Sequence, residues 1–230
     1  MKKILVFLLV AFTSATALQA QKKTFTREYT YQASKDDSKN SAWANATTQM
    51  RHILLREVGE CLHTERTFQP TANAQDYAEK IEAITAGIVE MKTLNEQWNG
   101  STYYIQAEMT IDPKDLERRI AEALNDKQKT KELEASRKRT LAAEAEAARL
   151  RKELEITKNE QQRLALQKKY QQTADALSAS EYFTRGYHAA ENGWYERAIE
   201  YYQKTIAADP NDASAYYNMG SAYANLEKIT

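Results

Sequence analysis

The segment "SEYFTRGYHAAENGWYERAIEYYQKTIAADPNDASAYYNMGSAYANL", residues 180–226, decides the architecture of the C-terminal part of the chain. Tyr182 and Tyr216 lie 34 residues apart, as do Phe183 and Tyr217, and Gly186 and Gly220. A fixed period of this length marks a unit used more than once, each copy burying its apolar face on its neighbour. Gly186 and Ala198 are small enough to let two successive helices approach, and Tyr202 fills the groove between them. Pro210 in "ADPND" closes the second helix, because proline lacks the N–H that would continue it.

These residues and their spacing resemble the tetratricopeptide repeat. One full repeat runs from Ala179 to Asp212, and a second has only its first helix, so residues 179–230 form an all-α module. The sequence departs from the family pattern at Ala189, where a large aromatic is usual, and at Thr205, where alanine is usual. The resemblance implies that Gly186, Ala198, Tyr202, Pro210 and Gly220 are structural. It also implies an inner face built from Phe183, Tyr187 and Ala190 of one helix and Tyr217, Ser221 and Ala224 of the next. Such faces bind peptide segments of other proteins, which makes Phe183, Tyr187, Tyr217 and Ser221 the expected partner-binding residues. The alternative is that these aromatics pack on further repeats. Phe183 and Tyr187 stand where a carboxylate clamp would need lysine and asparagine, which argues against recognition of a free C-terminus. Repeat arrays normally finish with a polar helix, so the natural protein is expected to continue beyond Thr230, or to be a short form completed by a partner chain.

Working outward, neither glycine nor proline occurs between Pro113 and Gly186. Lys, Glu, Arg, Gln, Ala and Leu dominate this run, and all are strong helix formers. Residues 121–178 therefore read as a charged helical spacer. Leu133, Thr140, Ala147 and Leu154 fall seven apart, with Leu150 and Leu164 at the matching second positions, while Gln161 and Lys168 interrupt the seam. Two readings stay open: a two-helix or dimeric coiled coil, or a single solvated helix that would hold the folded ends on the order of 90 Å apart.

Residues 22–120 carry mixed signals of a small α+β domain. "TFTREYTYQAS" alternates Phe25, Arg27, Tyr29 and Tyr31 with polar neighbours, as a half-buried strand does. A helix follows with Ser41 as N-cap, and Trp43, Ala46, Thr47, Met50, Leu54, Val58 and Cys61 on one face. A shorter helix is expected over Ala74 to Ile84. Asn99-Gly100 then marks a tight turn between two strands, with Tyr103, Ile105, Ala107, Met109 and Ile111 on the covered side. The order strand, helix, helix, hairpin is similar to the small domain of flagellar assembly protein T and of certain small outer-membrane lipoproteins. The stretches that carry this likeness are "GECLHTE", "ITAGIVE", "EQW", "YYIQAEMTID" and "DLERRI". It implies an envelope-associated structural or assembly role without catalytic residues.

The first twenty residues, "MKKILVFLLVAFTSATALQA", read as a bacterial secretory signal peptide: two lysines, a short apolar core, then small residues. The expected location is the periplasm or cell exterior, without a transmembrane anchor. The 32 basic residues offset 32 acidic ones, so no net field draws the chain to nucleic acid. Cys61 is the only cysteine, which excludes an intrachain disulfide and reads as a small buried hydrophobe. The triplets at Asn45 and Asn99 fall in a helix and a tight turn and read as structural. Three histidines show no metal-ligand spacing; His52 and His63 read as surface or core-edge residues and His188 as solvent-facing. No phosphate loop, nucleophile elbow or metalloprotease helix appears. The expectation is a non-enzymatic exported adaptor with no catalytic, cofactor or metal residues, which binds protein partners through the repeat module. The alternative is a structural envelope subunit that forms a homo-oligomer through its helical segment.

Overall fold

A computed structural model of the chain describes residues 22–64 and 74–229; the expected signal peptide lies outside them. Strand β1 (Lys23–Gln32) is followed by helices α1 (Lys39–Thr64) and α2 (Ala74–Ile88), then strands β2 (Met91–Trp98) and β3 (Thr102–Ile111). Helices α3 (Pro113–Asn125), α4 (Lys127–Ile156), α5 (Glu160–Glu191), α6 (Tyr195–Ala208) and α7 (Ala213–Glu227) complete it. The sheet is antiparallel in the order β1-β3-β2, so the hairpin strand β3 is central. A small antiparallel sheet unit followed by helices is the fold class expected from the sequence.

The alternation read in β3 is realised in its packing. Tyr103, Ile105, Ala107, Met109 and Ile111 are all buried against α1, with Met50, Leu54 and Val58 opposite them. Arg27 keeps to the helix-facing side of β1 because its guanidinium reaches Glu57 of α1 at 2.6 Å. In the hairpin turn, Gly100 adopts φ +94°, a conformation that costs glycine little. The Asn99 side-chain oxygen accepts from the amides of Ser101 and Thr102 at 3.0 and 2.8 Å.

Helix α1 starts earlier than the N-cap reading of Ser41 implies. Ser38 and Ser41 exchange bonds: the Ser38 amide donates to Ser41 Oγ at 2.9 Å, and the Ser41 amide to Ser38 Oγ at 3.1 Å. This reciprocal arrangement places Ser38 at the cap and Ser41 in the first turn. Helix α2 runs on to Ile88, four residues past its expected end, because Ile84 and Ile88 both feed the core.

The charged stretch is helical, but it is not one solvated rod. The chain reverses at residues 157–159, where Thr157 ends α4 and the Asn159 side chain caps α5 by accepting from the Gln162 amide at 3.0 Å. The two helices run antiparallel, as shown by Thr140 beside Ser180 and Lys129 beside Glu191. Ala147, Leu150 and Leu154 of the heptad pattern are buried against Tyr170 and Leu177 of α5 and Ala44 of α1. Leu164 instead remains 60% exposed. Leu133 joins the core of the sheet unit.

This helical pair folds back onto α1 through polar contacts. The Asp37 carboxylate, wholly covered by its neighbours, accepts from Tyr170 Oη at 2.5 Å, from the Ser34 amide at 2.7 Å and from Ser41 Oγ at 2.9 Å. Burial and the Asp37 carboxylate hold the Tyr170 hydroxyl above the usual phenol range, so it stays a donor. Arg51 of α1 grips Glu181 of α5 with both Nε (3.0 Å) and Nη2 (2.7 Å), and Arg185 adds a bond to the same carboxylate at 2.8 Å. Burial pushes the Glu181 carboxyl up, but Arg51 and Arg185 outweigh it and hold the group below its ordinary value.

Candidate functional site

The C-terminal part of α5 continues without a break from the charged pair into the expected repeat, and α6 packs antiparallel against it. Gly186 makes the close approach possible. A Cβ at this position would stand 2.7 Å from the ring of Tyr202, closer than carbon atoms pack. Phe183 lies 5.8 Å from the same ring, centroid to centroid. With Ala189, Ala198, Ile199, Ala215 and Ala222 these residues form the module's core. Helix α6 enters after Gly193, which adopts φ +76°, and stops at Ala208, two residues before Pro210. Asp212 caps α7 by accepting from the Ala215 amide at 3.1 Å.

The four expected partner-binding residues divide into two pairs. Phe183 is 9% exposed and belongs to the α5–α6 core. Tyr187 is half-buried under α4, where the Lys129 ammonium sits 5.4 Å from its ring centroid. Thr140 and Ser180, 2.5 Å apart, and Lys129 with Glu191, at 2.8 Å, complete the seal. The inner stripe of the first repeat helix is therefore occupied by the chain's own α4. Tyr217 is 72% exposed and Ser221 is half-buried, both on α7. Tyr216 and Tyr223, about 100° round the helix from that stripe, are also exposed, at 48% and 45%. Between Asp212 and Glu227 no residue is charged, so the surface is neutral and rich in tyrosine. A Cβ added at Gly220, one period after Gly186, would meet nothing within 4 Å.

His188 is buried rather than solvent-facing. Its residual exposure is 3%. Burial first, and the positive charges of Arg51 and Arg119 second, pull its pKa down to about 3, so the ring is neutral. His52 reaches Glu144 of α4 at 2.9 Å; the side chain of His63 lies outside the described residues. Cys61 is half-buried, 3.4 Å from Lys23 Nζ.

A cavity of about 50 Å³ between α1, α2, α4 and α5 is lined by Arg51, His52, Arg137, Glu144 and Glu181, room for a few water molecules. Its cations are answered by carboxylates, Arg51 by Glu181 and Arg137 by Glu82. Among the described residues, no group of three His, Cys, Asp or Glu side chains could hold a metal ion. No described helix is long and apolar enough to cross a membrane.

Residues 186–226 match the family model described as TPR repeat. No curated protein and no solved structure matches the chain. The C-terminal helices thus carry a protein-interaction repeat, and protein partners follow from it. The sequence missed the intrachain cover over Phe183 and Tyr187. The only signal for it was the set of Thr140, Lys129 and Leu133 on a helix that otherwise looks solvated.

Proposed function

We propose that this chain is an exported, non-enzymatic adaptor that holds a protein partner on α7, with Tyr217 and Ser221 at the centre of the contact. The observation that carries this reading is a neutral, tyrosine-rich repeat helix that stays open while the equivalent face of the preceding helix is covered by α4. Tyrosine gives large contact area at low conformational-entropy cost, which suits it to such a face. The order strand, helix, helix, hairpin supports placing the N-terminal unit with the flagellar assembly protein T and small lipoprotein type, and the leader-like residues 1–20 support export. The sheet unit would then tether the repeat within the envelope. The oligomeric alternative needs an apolar seam for a second copy, and Ala147, Leu150 and Leu154 are already used within the chain.

Site-specific photo-crosslinking tests the reading. A crosslinker replacing Tyr217 in the chain expressed with residues 1–20 intact should yield a discrete adduct in the envelope fraction. The same crosslinker at Lys138, exposed on α4, should not. Equal adducts from both positions, or none from position 217, would remove α7 as the partner face.

A further inference from the structure

A second surface lies on α6, apart from the inner-face helices α5 and α7. Trp194, Arg197, Tyr201 and Lys204 follow at steps of three, four and three residues and so share one stripe of the helix. The Arg197 guanidinium lies 5.6 Å from the Trp194 centroid and 5.8 Å from that of Tyr201. Lys204 Nζ lies 5.4 Å from Tyr201 and 5.8 Å from Tyr182 of α5. Tyr182 stacks on Trp43 of α1 at 5.0 Å, and Arg185 covers that indole at 5.9 Å. Three cations, Arg185, Arg197 and Lys204, thus make five cation–π contacts in one connected ladder.

The ladder is unfinished in charge. Arg197 and Lys204 are exposed, and neither makes an ion pair among the described residues. Trp194 remains 47% exposed beside them. The rings hold both cations in place, so a partner would lose little side-chain freedom in meeting them. The two cations are seven residues apart, two helical turns or about 10 Å along the axis.

We propose that this stripe docks an amphipathic helix of a protein partner that carries two carboxylates two turns apart with an apolar side chain between them. The carboxylates meet Arg197 and Lys204, and the apolar side chain packs on Tyr201 with Trp194 at its edge. Charge complementarity selects this occupant: the stripe presents two positive charges in the same two-turn register as the helix it would receive, and the flanking carboxylates of α6, Glu196 and Glu200, form no ion pair with either.

The probe is a fluorescein-labelled, alanine-based helical peptide with Glu at two positions seven apart and Leu midway, read by anisotropy against the full chain. A scrambled peptide of identical composition is the control. The designed peptide should bind at least tenfold tighter than the scrambled one, and the R197E/K204E chain should lose at least tenfold. A peptide with Lys at the two Glu positions should bind R197E/K204E better than it binds the native chain. Circular dichroism checks that the variant, altered only at exposed side chains, stays folded. No binding, equal binding of the scrambled peptide, or unchanged affinity of R197E/K204E would each overturn the proposal. Y217A should leave the affinity unchanged; if it alone abolishes binding, the peptide sits on α7, which overturns this inference and supports the separate reading of that helix.

Discussion

At Gly186 the helix–helix crossing leaves no room for a methyl group, whereas at Gly220, one period later, the space is open. In a helix interior Gly→Ala gains about 0.5 to 1 kcal/mol from backbone entropy, and overpacking costs about 1 to 3 kcal/mol. Gly186→Ala should therefore destabilise by about 1 to 2 kcal/mol and Gly220→Ala should stabilise by about 0.5 to 1 kcal/mol, read from urea midpoints. His188 gives a second residue-scale expectation. Its pKa is about 3 in the folded chain against about 6.5 when unfolded, so the unfolded state binds more protons between those values. Stability is then complete above pH 6.5 and falls as the pH drops, by about 3 kcal/mol at pH 4 from this group alone. Glu181, also depressed, adds loss at lower pH. Besides burial, the charges of Arg51, Arg119 and Glu181 set this field, and the Tyr187 ring lies 6.4 Å away, centroid to centroid. His188→Leu should flatten the slope of melting temperature against pH between 6.5 and 4; an unchanged slope would mean that the ring is hydrated in solution. The 34-residue period made Gly186 legible. The burial of His188 was not, because the charged groups that reach it, Arg51 and Arg119, lie far earlier in the chain.

Among the elements, α4 and α5 differ most from what the sequence suggested. Leu150 and Leu164 hold equivalent positions in the heptad pattern, yet Leu150 is fully buried and Leu164 is 60% exposed. Leu150→Ala should cost about 2 to 5 kcal/mol, as fully buried leucines do, and Leu164→Ala within about 0.5 kcal/mol. A solvated spacer would give two small values, and a regular two-stranded seam two large ones. The strands and α1 were legible because their apolar residues recur with the period of the element. The packing of α5 on α1 was not, since Arg51, Glu181, Asp37 and Tyr170 carry it, and in sequence such residues look like any solvated side chain. Only their meeting across some 130 positions gives them a structural role.

For the whole molecule, the charged helices act as a buttress between the sheet unit and the repeat, seal the first repeat helix and leave α7 open. Small-angle X-ray scattering of the chain from Lys22 onward tests this arrangement most directly. A compact chain of this length has a radius of gyration near 17 Å, and helices of some 45 Å lengthen it modestly. The expected result is a radius of about 20 Å with a maximum dimension of roughly 70 Å. A radius above about 30 Å with a maximum dimension beyond roughly 120 Å, as a 90 Å spacer helix between two folded ends would give, would contradict it.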